Sequence, residues 1–289
     1  MPNKYKINFK AYFELMRLHQ LTGVYLLLFP VLWSLILATG DLKYFSVGLL
    51  IIFVLGALIM RAAGCIINDF IDRKIDAKVE RTKNRPLANN TIKPISALIL
   101  LALLLFLALS LLLLLNKPAI IIGFLSIIPI IIYPFMKRIT NWAQAFLGLV
   151  FNLGVLIAWV SIRGEVELEP ILLYLAAFFW TLGYDTIYAH QDKEFDSLIG
   201  LKSTALALKE NTKKYLFIFY GLANILLWFT GIIAGLNIYF YIILVLSLFQ
   251  LLWQIITLDI NNPEDCLIKF KSNRYYGLVI LFAYCLGLN

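Results

Sequence analysis

The chain has 289 residues, of which 62% are apolar and 15% charged, with a formal net charge of +8 and a mean hydropathy of +0.86. A soluble domain carries about 25% charged residues, so the composition excludes an ordinary soluble globular protein. The three cysteines, Cys65, Cys266 and Cys285, have no CxxC spacing, and with only His19 and His190 beside them they support neither a zinc site nor a disulfide framework.

Up to Gln20 the chain mixes basic and aromatic residues with Glu14, and no small-residue cleavage site follows a short apolar core. The first span, expected at 20–39, therefore reads as uncleaved rather than as a signal peptide, and Arg and Ser are too few for a transit peptide. Further apolar runs, each near the roughly 20 residues that a bilayer requires, are expected at 45–68, 95–115, 118–136, 142–162, 170–190, 214–235, 238–258 and 272–288. A membrane barrel would alternate apolar and polar positions over strands of about 10 residues, and no such alternation occurs. The expected fold class is all-α: a polytopic membrane bundle of about nine transmembrane helices forming one domain over 1–289.

Basic residues gather in alternate connections. With the N-terminus cytoplasmic, the inner segments hold Lys4, Lys6, Lys10 and Arg17 before span 1, and Arg73, Lys74, Lys78, Arg81, Lys83, Arg85 and Lys93 after span 2. Lys137 and Arg138 follow span 4, Lys193, Lys202, Lys209, Lys213 and Lys214 follow span 6, and Lys269, Lys271 and Arg274 precede span 9. Only Lys43, Lys117 and Arg163 fall outside, the last next to the acidic Glu165, Glu167 and Glu169. The positive-inside rule favours this orientation. A bacterial inner membrane is expected, with the mitochondrial inner membrane as the alternative.

Two aspartate clusters stand out against this apolar background: Asn68-Asp69-Phe70-Ile71-Asp72-Arg73-Lys74-Ile75-Asp76, and Asp185 through Asp192 to Asp196. Both are expected on the cytoplasmic face, each followed by a connection long for a compact bundle, about 69–94 and 191–213. On a helix, Asp69, Asp72 and Asp76 share one face at i, i+3 and i+7, and Asp185, Asp192 and Asp196 repeat that logic at i, i+7 and i+11. Like charges this close repel unless a divalent cation holds them, and Mg²⁺ takes one or two carboxylates together with phosphate oxygens and waters. Arg81, Lys83 and Arg85 supply the basic side of a phosphate clamp. Arg61 lies seven residues before Asn68, on the same helix face but deeper. A buried Arg requires an anionic partner, here either Asp69 or the carboxylate of a substrate. Arg17 is a second candidate, with an interfacial snorkelling cation as its alternative. His190 and His19 read as local hydrogen-bonding residues near helix ends, and Cys65 as packing.

Asn68-Asp69-x-x-Asp72-Arg73-x-x-Asp76, continued by Arg81-Thr82-x-x-Arg85-Pro86-Leu87, resembles the first signature (68–87) of the UbiA-type intramembrane aromatic prenyltransferases. Gly183 through Asp196, followed by Gly200-Leu201-Lys202-Ser203-Thr204, resembles the second (185–204). Tyr133-Pro134-Phe135-Met136-Lys137-Arg138 and Met16-Arg17-Leu18 are similar to the branch that acts on 4-hydroxybenzoate in ubiquinone biosynthesis. The resemblance runs from about residue 11 to the C-terminus. It implies a central cavity open to lipid and capped by two cytoplasmic motif loops, and Mg²⁺-dependent transfer of a polyprenyl group from its diphosphate to the ring carbon ortho to the hydroxyl.

By the same resemblance, Asn68, Asp72, Asp76, Asp192 and Asp196 hold Mg²⁺. Arg81, Arg85 and Lys137 hold the diphosphate, Arg61 with Arg17 the acceptor, Tyr133 and Tyr188 face the allylic cation, and Asp185 takes the ring proton. Two places depart from the family: His19-Gln20-Leu21 after Arg17-Leu18, and Glu194-Phe195 before Asp196. The expected partners are polyprenyl diphosphate, 4-hydroxybenzoate and the bilayer, with no nucleic acid and no obligatory protein. Homogentisate, a naphthoate or haem are the alternative acceptors. A cation-coupled transporter is the rival from another class, but it calls for acids at mid-membrane and paired broken spans, which this chain lacks.

Overall fold

The computed structural model describes residues 8–288; Lys4 and Lys6 lie outside them. All regular structure among the described residues is helical. In chain order the helices are α1 (Phe9–Leu15), α2 (Thr22–Thr39), α3 (Val47–Asp76), α4 (Pro94–Leu112), α5 (Lys117–Ile132), α6 (Met136–Ile139) and α7 (Ala143–Phe151). They continue as α8 (Leu153–Arg163), α9 (Leu168–Ala189), α10 (Lys193–Leu198), α11 (Thr204–Leu208), α12 (Thr212–Ile233), α13 (Ile238–Thr257) and α14 (Pro263–Gly287). Local chemistry sets many of the ends. Asn116, Asn237 and Asn262 accept from backbone N–H groups at the starts of α5, α13 and α14, and Gly164, at φ +84, closes α8.

Eight helical segments among the described residues are long and apolar enough to cross a bilayer. They are Thr22–Thr39, Val47–Asp76, Pro94–Leu112, Lys117–Ile139, Ala143–Arg163, Leu168–Leu198, Thr204–Ile233 and Ile238–Thr257. The ninth span expected at 272–288 falls in α14, which is not among these eight because its first half carries Glu264, Asp265, Lys269, Lys271 and Arg274. Two expected boundaries move. The second span continues past 68 to Asp76, because the residues after Asn68 include no helix breaker and Arg73 and Lys74 complement the negative end of the helix dipole. The fifth is divided at Asn152, whose side-chain amide donates to Gly148 O and Thr181 Oγ1.

The chain forms two compact units, divided inside α2 and α3. One comprises the described residues up to Val24 together with Val54–Leu114. Its core packs Ala11 and Leu15 of α1, Ala62, Ala63 and Ile66 of α3, Leu87 and Ile92 of the following segment, and Ala97 and Leu104 of α4. The alanines of α3 remove side-chain bulk, the usual device for close helix approach in membranes.

The other unit comprises Tyr25–Phe53 and the described chain from Leu115 onward. Helix α9 is its centre and packs against α7, α8, α12 and α14. Trp180 of α9 packs against Trp33 and Tyr276 in tilted ring pairs, with centroids 5.2 and 5.4 Å apart. Gly183 is where α9 meets the ring of Tyr220 on α12, and a Cβ there would collide with that ring. Interhelical hydrogen bonds cross this apolar core: Trp180 Nε1 donates to Asn273 Oδ1, Tyr220 OH to Gln254 Oε1, and Gln254 Nε2 to Ser272 Oγ. Each such bond in a bilayer contributes about 0.6 kcal/mol. Large apolar side chains such as Ile99, Phe106, Ile128, Phe217 and Phe249 point outward, as a lipid-facing surface requires.

Candidate active site

The first cluster is helical rather than part of a loop. Asn68, Asp69, Asp72 and Asp76 lie on the last turns of α3, with Asp69 2%, Asp72 7% and Asp76 7% exposed. Three buried carboxylates on one face require compensating charge, and arginines from both sides of the helix in sequence supply it. Arg17 Nη2 reaches both oxygens of Asp69, at 3.0 and 3.1 Å. Arg85 Nη1 lies 3.1 Å from Asp69 Oδ1 and 2.9 Å from Asp76 Oδ2, so one guanidinium bridges two carboxylates a helical face apart. Arg17 adopts φ +55, a left-handed conformation that costs a non-glycine residue about 1–2 kcal/mol; its double contact with Asp69 compensates. Thr82, 3% exposed, donates from Oγ1 to Asp76 O and pins the turn that returns Arg85 to the helix.

These pairs decide one alternative. With Asp69 engaged by Arg17 and Arg85, Arg61 does not take it as a partner. Arg61 Nη1 instead donates to Cys65 Sγ at 2.6 Å, and its buried Nε has no hydrogen-bond partner. The guanidinium rests on Gly23, where any Cβ would collide with it. Cys65, expected as packing, is thus also a hydrogen-bond acceptor. A half-buried guanidinium with a buried, unsatisfied Nε is the chemistry of an anion receptor. Asn68 is half-buried on the same helix, and Arg81 is exposed on the segment that follows it.

In the second cluster, the expectation of one continuous helical face does not hold. Asp185 is half-buried in α9, but α9 stops at Ala189; Asp192 closes a 3-10 turn at His190–Asp192, and Asp196 lies in α10. The physical reason is a set of tethers at the break. His190 is buried and shares a 2.9 Å hydrogen bond through Nε2 with Thr212 Oγ1, while Lys193 Nζ is held by Ile260 O at 2.9 Å. The backbone N–H of Lys202 donates to Lys137 O at 2.8 Å, and Lys202 Nζ donates to Ile139 O at 3.0 Å. Lys137 is therefore brought to the exit of the second motif. Thr204 adds two more ties, through its N–H to Gln144 Oε1 and through its hydroxyl to Thr186. Tyr133 sits half-buried in the 3-10 turn Tyr133–Phe135, and the ring of Tyr188 packs on Phe270 with centroids 4.5 Å apart.

Sequence reasoning did not single out Thr82, Gly23, Gln144 or the Thr186–Thr204 pair. Hydroxyls and amides that hold a turn leave no periodic trace. Only the Arg85 and Thr204 strings hinted at them, by following the aspartates at fixed distance.

No three His, Cys, Asp or Glu side chains gather as a metal cluster among the described residues. Asn68, Asp72 and Asp76 present only hard oxygen donors from one helix, and Mg²⁺ accepts one or two carboxylates when water and phosphate supply the rest. That sparse donor set fits Mg²⁺, and the absence of Cys and His from it does not fit zinc.

The family model described as the UbiA prenyltransferase family matches residues 27–283. The mitochondrial 4-hydroxybenzoate polyprenyltransferase of Arabidopsis thaliana is 43% identical over 280 residues, covering 96% of this chain and 69% of that protein. The protein of the same name from Bos taurus is 45% identical over 279 residues, covering 96% of this chain and 75% of its own length. Among solved structures, the apo form of a UbiA homolog from Aeropyrum pernix K1 superimposes with a TM-score of 0.74 at 22% identity, over 92% of this chain and 96% of that one. At that identity the likeness establishes a shared fold.

Proposed function

The chain belongs to the UbiA prenyltransferase family, and from that premise we propose that it transfers a polyprenyl group from polyprenyl diphosphate to 4-hydroxybenzoate, ortho to the hydroxyl, as a step of ubiquinone biosynthesis. Identity of 43–45% across almost the whole chain to relatives of that name supports the reading. The observation that carries the choice of acceptor is Arg61, a half-buried guanidinium whose buried Nε has no hydrogen-bond partner, on the helix that bears the aspartates.

Asn68, Asp72 and Asp76 of the first motif, with Asp192 and Asp196 of the second, are the residues that would hold Mg²⁺. When bound, the ion neutralises the leaving diphosphate. The rest is the work of side chains. Arg81, Lys137 and the N–H groups of Arg85 not committed to Asp69 and Asp76 donate to diphosphate oxygens, so that charge is matched as the allylic carbon–oxygen bond breaks. Tyr133 and Tyr188 offer aromatic faces to the allylic cation. Arg61, with Arg17 helping to order the same unit, fixes the acceptor carboxylate. The ring carbon ortho to the hydroxyl then attacks the allylic carbon, and its proton passes to Asp185. Arg17 acts through Asp69 as a positioning residue.

The chain works as one catalytic domain in an inner membrane, with the N-terminal side and both motifs cytoplasmic or on the equivalent matrix face, as the basic connections favour. The mitochondrial names of the relatives fit the second of the two expected membranes. The reading is tested by supplying membranes containing the chain with Mg²⁺, a polyprenyl diphosphate and 4-hydroxybenzoate. Ring-prenylated acid is expected from the native chain and a loss of at least about 100-fold in kcat from Asp72→Ala and Asp192→Ala. Undiminished product in both variants would refute the assignment.

A further inference from the structure

Where α13 ends and α14 begins, a concave pocket of about 410 Å³ opens toward the surface. Lys271, Arg274, Gln250, Trp253 and Tyr275 line it, with Ile268 at one side and no acidic residue in the lining. We propose that this pocket binds the phosphate of an anionic phospholipid headgroup.

Charge comes first. Lys271 and Arg274 stand at i and i+3 on α14, so they share a face and repel unless an anion lies between them. The nearest acids are engaged elsewhere. Asp265 pairs with Lys269 at 3.2 Å and accepts the N–H of Asp259, whose own carboxylate accepts the N–H of Asn261. Glu264 belongs to the first turn of α14, where the helix dipole favours an acid. Lys269 is buried behind the lining, its Nζ 3.9 Å from the centroid of the Trp253 ring and paired with Asp265. No ion pair to Lys271 or Arg274 occurs among the described residues. Arg274 is instead oriented by Tyr275, whose hydroxyl accepts from Nη2 at 2.6 Å and whose ring lies 4.7 Å from the guanidinium carbon. One edge of the guanidinium is thereby fixed, and its other N–H groups are left for an oxygen-rich ligand.

Depth comes second. Trp253 precedes the end of α13 by one turn, and Tyr275 lies where the charged half of α14 gives way to its apolar half. Trp and Tyr in such positions sit at headgroup level, and Lys and Arg beside them reach the same layer. Along the same helical faces, Leu246 and Phe249 precede Trp253, and Leu278 and Phe282 follow Tyr275, all exposed. A ligand with its phosphate in the pocket would lay acyl chains along these side chains. Free phosphate has no use for that surface. Basic pockets between helices on the cytoplasmic or matrix side are the sequence-readable form of acidic-lipid recognition. The pocket also lies at the same end of its unit as the second aspartate motif, since Lys193 donates to Ile260 O and Asn261 Oδ1 in the α13–α14 connection.

The full chain, reconstituted in nanodiscs of equal phosphatidylglycerol and phosphatidylcholine and released for native mass spectrometry, should retain phosphatidylglycerol in preference. Each cation removed should weaken retention about fivefold, so Lys271→Gln with Arg274→Gln should weaken it about 25-fold. Lys271→Arg with Arg274→Lys, which preserves charge, should keep the lipid, as should Lys43→Gln with Lys117→Gln, at two basic positions outside the pocket lining. If the double Gln variant does not fold, Lys271→Gln alone, at an exposed position, carries the test. Equal retention of the two lipids, or unchanged retention in Lys271→Gln, would overturn the proposal. Displacement of the lipid by millimolar inorganic phosphate would overturn it too, by showing a site for the free anion.

Discussion

Replacing Arg85 by Leu removes the cation that Asp69 and Asp76 share. Its Nη1 is 3.1 Å from one carboxylate and 2.9 Å from the other, and the acid side chains are only 3% and 9% exposed against 22% for Arg85. At about 3 Å and an effective dielectric of about 20, each pair is worth about 5 kcal/mol before desolvation is counted. Truncating one partner of a buried pair costs about 3–5 kcal/mol, because the other charge stays buried. Arg85 is partly solvated and Asp69 keeps Arg17, so the expected loss is about 2–4 kcal/mol. The assay is the unfolding free energy of purified protein in mixed micelles titrated with denaturing detergent. In an Asp69→Asn background the same replacement should cost about 1–2 kcal/mol less, the mark of residues sharing a network. Added Mg²⁺ should restore part of the stability, since it supplies the missing positive charge to Asp76. Unchanged stability together with a KM for prenyl diphosphate raised tenfold would refute the bridging role and leave Arg85 as a diphosphate ligand alone.

Arg61→Met should raise the KM for 4-hydroxybenzoate about 10- to 100-fold, the worth of a charge-assisted hydrogen bond of about 1.5–3 kcal/mol, while the preference for the acid over its neutral amide, 4-hydroxybenzamide, disappears; steady-state kinetics with the two acceptors reads both effects. Gly23→Ala should move the same acceptor KM in the same direction with little change in the KM for prenyl diphosphate, because the atoms nearest the added methyl are those of the Arg61 guanidinium. Lys202→Met, which releases the side-chain tie to Ile139 O and leaves the backbone bond to Lys137 O, should raise the KM for the diphosphate by loosening the segment that carries Lys137, and an unchanged value would show that the side-chain tie does not position that segment.

The all-helical class and eight of the expected spans were legible because a bilayer leaves an apolar run few options. The shared face of Asp69, Asp72 and Asp76 was legible as well, since i, i+3 and i+7 need only a helix, and the structure extends α3 through all three. The same reasoning misplaced the second cluster, because nothing in the spacing of Asp185, Asp192 and Asp196 reveals that His190 is tethered to Thr212 and that the helix ends beside it. Pairing between charges was the least legible. Which arginine meets Asp69 depends on a left-handed turn at Arg17 and on the return of the chain through Thr82, and neither residue type announces such a role. For the same reason the sequence left Asp69 open as a partner of Arg61, whereas in the structure Arg17 and Arg85 pair with it.

The central claim is the identity of the transferred group and its acceptor, and an acceptor panel tests it most directly. Membranes containing the chain, with Mg²⁺ and one polyprenyl diphosphate, are offered 4-hydroxybenzoate, homogentisate, 1,4-dihydroxy-2-naphthoate and haem in parallel, and products are read by mass spectrometry. The expected result is a single major product, 4-hydroxybenzoate carrying the prenyl group ortho to its hydroxyl, lost when Mg²⁺ is chelated. Prenylation of another acceptor in its place, or none of 4-hydroxybenzoate by the native chain, would contradict the account.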